Sequence, residues 1–229
     1  MDGITVITSR RSGAGHLFAL LRNFEAVAPS DGLFADGAQD AGGRIDVFEL
    51  EARATHKSVV VLKATPTLRR ETIETELLGR PGMRALFVLR RQIDTYVSLV
   101  KASALDAWRD TDLTPVKVKL DVGHFANWLD EQEAWYAHWR SWLERRALPT
   151  PALRYETHLT LPDEVVLHRF AATAAQLGVV LRVPAELPFA GLMRQDREKA
   201  VAVKVKNWPD FSKALIERGI ERRAFGYPM

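Results

Sequence analysis

The run Ser58-Val59-Val60-Val61-Leu62-Lys63 holds three valines and a leucine, with polar residues only at its ends. Successive strand side chains point to opposite faces, so a strand without polar positions must be covered on both sides. That requirement points to a parallel sheet between layers of helices. Two more runs, Ile4-Thr5-Val6-Ile7-Thr8 and Ala85-Leu86-Phe87-Val88-Leu89, have the same character. Each run is followed by a helical pattern. Leu17, Leu20, Leu21 and Phe24 recur at helical spacing after the first run. A helix opened by Pro66 runs to about Leu78 after the second, ended by Gly79 and the Pro81-Gly82 turn. A third helix runs to about Ala104.

Residues 28–44 read as an irregular loop and 106–122 as a polar connection. A long helix over 123–146 sets Trp128, Trp135, Trp139 and Trp142 near one stripe, which reads as a core-packing face. A short strand over 152–155 and a helix over 163–177, stopped by Gly178, follow. Strands alternating with helices give an α/β expectation: one domain over 1–229, with a central parallel sheet flanked by helices.

Composition excludes several functions. Zero cysteines rules out disulfides, thiolate metal sites and a cysteine nucleophile. The histidines lack metal-ligand spacing, so no metal is expected. No apolar run reaches the roughly 20 residues of a membrane span. The N-terminus lacks a secretory-signal pattern, which makes a cytoplasmic location the expectation. A net charge of +3, from 32 basic and 29 acidic residues, is too small to argue for nucleic acid.

The position of the charge says more than its sum. Ligands of open parallel sheets bind beyond the carboxyl ends of the strands. Three such ends are basic here: Arg10-Arg11, Lys63 and Arg90-Arg91. After the first, Ser12-Gly13-Ala14-Gly15 leads into a helix near His16. Unpaired N–H groups and the positive dipole end of that helix suit an anion. The loop has no Lys-Ser or Lys-Thr pair, so the ATP-binding Walker pattern is absent and an ATP-using kinase is disfavoured.

Two blocks make a resemblance specific. Arg11-Ser12-Gly13-Ala14-Gly15-His16-Leu17 resembles the 5′-phosphosulfate loop of sulfotransferases that use 3′-phosphoadenosine 5′-phosphosulfate (PAPS). Val88-Leu89-Arg90-Arg91-Gln92-Ile93-Asp94-Thr95-Tyr96-Val97-Ser98 resembles their 3′-phosphate block, with Arg90, Asp94 and Ser98 at the family spacing. Leu153-Arg154-Tyr155-Glu156 is similar to a later tyrosine-glutamate segment, and Lys206-Asn207-Trp208 to a late lid. The resemblance implies a three-layer P-loop NTPase-like fold and transfer of a sulfuryl group from PAPS, leaving adenosine 3′,5′-bisphosphate. The implied acceptor is a hydroxyl or amine of a small molecule or glycan, and a homodimer is compatible with the family.

By the same resemblance, Arg11, Ser12, Gly13, Ala14, Gly15 and His16 would hold the 5′ end of the donor. Arg90 and Ser98 would hold the 3′-phosphate with help from Lys206, and Lys63 would reach the bridging oxygen. Ala14 and Gly15 stand where the family usually supplies hydroxyls, and His16 where it often has a stacking tryptophan. The histidine base of one family branch is absent from Lys63-Ala64-Thr65-Pro66. Another branch's glutamate base falls on Asp31 by ungapped count, with Asp36 and His56 as fallbacks. A non-catalytic nucleotide-binding protein of the same fold stays open as the alternative.

Overall fold

The computed structural model describes residues 2–30 and 57–228. Its centre is one five-stranded, all-parallel sheet in the order β2-β3-β1-β4-β5, flanked by helices, so the expected α/β architecture is the one that forms. In chain order the elements are β1 (Asp2–Thr8), α1 (Ala14–Leu21), β2 (Val27–Ser30), β3 (Val59–Ala64) and α2 (Arg70–Thr72), which continues as a π-helical turn (Ile73–Leu78). Next come β4 (Met83–Leu89), α3 (Gln92–Leu105), α4 (Val122–Glu144) and β5 (Ala152–Arg154), then a second π-helical turn (Tyr155–Leu159). The chain ends with α5 (Asp163–Gln176), α6 (Val201–Lys204), α7 (Trp208–Glu217) and α8 (Glu221–Ala224).

Both faces of the sheet are buried, as the valine run requires. Ile4, Val6, Val61, Leu86 and Val88 pack on α1 and α5. The intervening Ile7, Val60, Leu62, Phe87 and Leu89 pack on the other side, against Trp135, Tyr136, Trp139 and Trp142 of α4 and the π turn after α2. The tryptophan stripe is therefore core, with Trp139 wholly buried. Each fully buried side chain of this size is worth about 1.5–3 kcal/mol of transfer free energy. Trp128 belongs to a further cluster with Tyr96 and Phe125, joined by Phe211 and Leu215 of α7.

Three readings of the sequence need correction, the simplest being Tyr155, which opens a π-helical turn instead of ending β5. Residues 28–30, read as the start of a loop, belong to β2, which among the described residues is an edge strand paired with β3 alone. An edge position tolerates Pro29, which cannot donate to a ladder, and its presence masks the strand signal. The helix expected to open at Pro66 instead starts at Arg70, because 65–68 close a turn in which Leu68 N–H donates to the Thr65 carbonyl at 3.0 Å.

Register fixes where the site lies. Ile7 pairs with Ala64 and Thr8 with Val88, so β1, β3 and β4 end along the same edge of the sheet. Among the described residues, no helix is long and apolar enough to cross a membrane.

Candidate functional site

A cavity of about 730 Å³ opens at that edge. It is lined by the loop Ser9–Gly15 with His16, by Lys63 and Thr65 beyond β3, by Arg90 beyond β4 and by Ser98 of α3. Trp108–Asp110, Tyr155 and Leu192–Asp196 complete it. All three basic strand ends therefore converge, as the sequence suggests. Arg10, Arg11, Lys63, Arg90, Arg109 and Arg194 face it against Asp110 and Asp196.

The two sequence blocks meet through Arg11. Its backbone is in the left-handed region at φ 65°, which costs a non-glycine residue roughly 1–2 kcal/mol. Side-chain bonds offset the strain: Arg11 Nε donates to Ser98 Oγ at 3.0 Å and Arg11 Nη1 to the Trp108 carbonyl at 3.0 Å. Arg90 Nη1 in turn donates to the Arg11 carbonyl at 2.8 Å. Burial and the Arg90 charge pull the Arg11 pKa down, while Tyr155 and Asp196 push it back up.

Arg90 lies over the Tyr155 ring at 4.3 Å from its centroid, within cation–π range. Its Nε is buried without a hydrogen-bond partner. A buried guanidinium N–H left unpaired is costly unless a ligand completes it. Tyr155 also shapes the loop: a Cβ on Gly13, at φ +94°, would come within 2.4 Å of its ring. Gly13 precedes α1 without any side-chain cap, so the first N–H groups of the helix have no intrahelical or capping partner.

Several expected ligand residues also make contacts within the protein. Ser12 is buried with its hydroxyl 2.5 Å from Thr8 Oγ1, so it braces the loop. His16 is not an open stacking platform. Its Nδ1 lies 3.2 Å from the Leu192 carbonyl and its Nε2 3.6 Å from Asp163, and its ring fits against Gly191, where a Cβ would sit 2.1 Å away. Lys206 is exposed and does not line the cavity: its N–H is fixed to the Val118 carbonyl at 2.7 Å, at the start of a turn. Lys204 is the buried lysine of that segment. Asp31, Asp36 and His56 lie outside the described residues.

The sequence reading missed the roof of the cavity. Residues 189–196 cross it without regular structure, anchored at both ends. Asn23 exchanges two hydrogen bonds with the Phe189 backbone, at 2.7 and 3.0 Å, and Asp163 accepts from Gly191 N–H at 3.1 Å. At the far end Asp196 accepts from the fully buried Lys101 at 2.8 Å, with Lys204 at 3.7 Å. Lys204 also faces Asp94 at 3.8 Å, and Asp94 pairs with Arg91 at 2.8 Å. Burial lowers the Lys204 pKa, and Asp196 and Asp94 oppose the shift. Asp94, Ser98 and Lys101 share one face of α3 by their spacing, the one local signal of this floor. Glu156 braces the same corner by accepting from Arg91 N–H and Tyr227 Oη–H, both at 3.0 Å.

Among the described residues, no group of three or more His, Asp or Glu is placed to hold a metal ion. Comparison with protein-family models, curated proteins and solved structures finds no match. The functional argument therefore rests on this geometry together with the resemblance of the two sequence blocks.

Proposed function

We propose that this protein is a PAPS-dependent sulfotransferase acting on a hydroxyl or amine of a small molecule or glycan. The observation that carries the reading is the Arg90–Arg11–Ser98 chain of contacts at the uncapped start of α1. In this reading it would offer two anion-binding positions side by side in one cavity, with the unpartnered Arg90 Nε as a donor for one of them. A nucleotide with phosphate groups at both ends of its ribose suits that pair better than a triphosphate does.

In the reaction, an acceptor oxygen or nitrogen bonds to sulfur as the bond from sulfur to the bridging phosphate oxygen breaks. The electron pair leaves on the phosphate and the acceptor proton passes to a base. Arg11 and the N–H groups of Gly13, Ala14 and Gly15 would neutralise charge on the leaving phosphate. Arg90 suits the 3′-phosphate because its planar guanidinium binds phosphate in a fixed fork. Lys63, at the end of β3, would face the bridging oxygen. Asp31 is the proposed base. Among the described cavity carboxylates, Asp196 is committed to Lys101, which leaves Asp110 as the other candidate.

Titration calorimetry with adenosine 3′,5′-bisphosphate tests the donor site. Charge-assisted hydrogen bonds are worth about 1.5–3 kcal/mol, so Arg90→Ala or Arg11→Ala should weaken binding roughly 10- to 100-fold. Unchanged affinity in both variants would sink the assignment. ATP should compete poorly.

The second reading, a non-catalytic nucleotide binder, is favoured by one observation. Ala14 and Gly15 bring no hydroxyl to the loop, and the Ser12 hydroxyl is turned to Thr8. That reading predicts bisphosphate binding without transfer of labelled sulfate to any acceptor of a broad panel; turnover excludes it.

A further inference from the structure

Resting on that donor reading, we propose that Asp94, Lys101, Asp196 and Lys204 set the charge of the phosphate the cavity accepts. They select a dianionic phosphate monoester beside Arg90 and Ser98 over a singly charged diester. The arrangement starts on α3, where Asp94, Ser98 and Lys101 follow one another at offsets of four and three residues and so share a face. Ser98 lines the cavity and accepts from Arg11 Nε at 3.0 Å. Lys101 is wholly buried and donates to Asp196 at 2.8 Å and to the Leu113 carbonyl at 3.0 Å. Lys204 of α6 is almost as buried, with Asp196 at 3.7 Å and Asp94 at 3.8 Å. Those separations exceed hydrogen-bond reach, so the two acids hold Lys204 by charge alone. Of these four groups Asp196 lines the cavity, while Asp94, Lys101 and Lys204 act from behind its wall.

The cavity cations belong to the same cluster. Burial lowers the Lys204 pKa, Asp196 and Asp94 raise it, and Arg90 and Lys101 lower it again. Asp196 also raises the Arg11 pKa. Arg11, Arg90, Lys101 and Lys204 therefore share Asp94 and Asp196, four positive charges against two negative. The groups around them cancel. Arg91 is matched by Glu156, which it meets along with Asp94. Nearer the surface, Arg194 and Glu198 flank Asp196 and offset one another. Two positive charges in excess, drawn partly from buried lysines, are costly until an anion balances them. A phosphate monoester brings roughly 1.5 to 2 negative charges at pH 7 and meets that need. A diester brings one and leaves the cluster charged.

The test titrates the full chain at low salt with two probes: adenosine 3′,5′-bisphosphate and its 3′-methyl phosphate ester, which carries one charge fewer. The wild type should bind the bisphosphate roughly tenfold tighter, the scale of one charge acting over several ångströms inside a protein. Lys204→Met removes a positive charge and should bring the two affinities to within about threefold of each other. Asp94→Asn removes a negative charge and should widen the ratio. A purely structural role for these residues would weaken both probes alike and leave the ratio where it was. Thermal unfolding of each free variant reports an intact fold, and either variant carries the test if the other fails to fold. Equal affinity of the two probes for the wild type overturns the proposal, as does a ratio that a folded Lys204→Met or Asp94→Asn leaves unchanged. Both outcomes leave the donor site standing as long as the bisphosphate binds. Failure of the bisphosphate to bind the wild type overturns the donor reading and this inference together.

Discussion

Gly13→Ala is the sharpest single perturbation of the site, because the structure gives two separate costs for one methyl group. The first is backbone strain. Gly13 adopts φ +94° and ψ 0°, a conformation that costs an L residue roughly 1–2 kcal/mol. The second is overpacking. The added Cβ would stand 2.4 and 2.9 Å from two atoms of the Tyr155 ring and 3.4 Å from Leu159, and relieving such a clash typically costs about 1–3 kcal/mol. Together they predict a loss of roughly 2–5 kcal/mol. At about 2–4 °C per kcal/mol for a chain of this size, the melting temperature should fall by roughly 4–20 °C. The consequence for function follows from the stack: Tyr155 carries Arg90 at 4.3 Å, so a displaced ring moves the phosphate cation and bisphosphate affinity should fall with stability. Denaturant unfolding of Gly13→Ala in the wild-type and Tyr155→Ala backgrounds separates the costs. Without the ring only the backbone strain remains, so the substitution should cost about 1–2 kcal/mol there. An equal cost in both backgrounds would refute the packing argument, and a loss below about 0.5 kcal/mol in the wild type would refute both.

Three further expectations concern the frame of the site. Lys101→Met leaves the buried Asp196 without its 2.8 Å partner and should cost about 3–5 kcal/mol, with much of it regained when Asp196 is also made Leu; equal stability of wild type and Lys101→Met in urea would contradict the buried pair. Glu156→Ala removes the acceptor of Arg91 N–H and Tyr227 Oη–H. It should cost about 1–3 kcal/mol and weaken bisphosphate binding through the neighbouring Arg90, read by calorimetry on the same sample. Burial pushes the Tyr136 hydroxyl up to about 12, so the folded chain holds this proton more tightly than the unfolded one. Its contribution is intact below about pH 10 and is lost as pH rises towards 12, about 3 kcal/mol in all; Tyr136→Phe should flatten that part of the alkaline stability curve measured by denaturant unfolding.

The sheet was legible because its evidence is local. A strand buried on both faces leaves no polar position, and Val59 to Leu62 show this within four residues. The edge strand β2 escaped for the converse reason: Val27-Ala28-Pro29-Ser30 is short, and its proline argues against a strand until one sees that only one side is paired. Tyr155 was read as the last residue of a strand, yet it opens the π-helical turn that brings its ring under Arg90. Nothing within a few residues of Tyr155 specifies that partner, which follows another strand.

The same contrast divides the candidate site. Arg11 and Arg90 could be named in advance because each follows a strand end, and parallel topology carries strand ends to one edge, whereas Ser98 came from the family resemblance. The roof obeys no such rule. Asp196 lies in a polar, irregular stretch where a carboxylate ordinarily faces water, and its role depends on Lys101, a lysine buried on a distant helix. Lys206 and Lys204 divide on the same point. Both lysines belong to one basic segment, and what separates them is the pair of carboxylates, Asp94 and Asp196, waiting at the buried position. A lysine enters an interior only where acids offset its desolvation. Predicting which one goes in therefore requires the three-dimensional position of its partners, and residue spacing alone does not contain it.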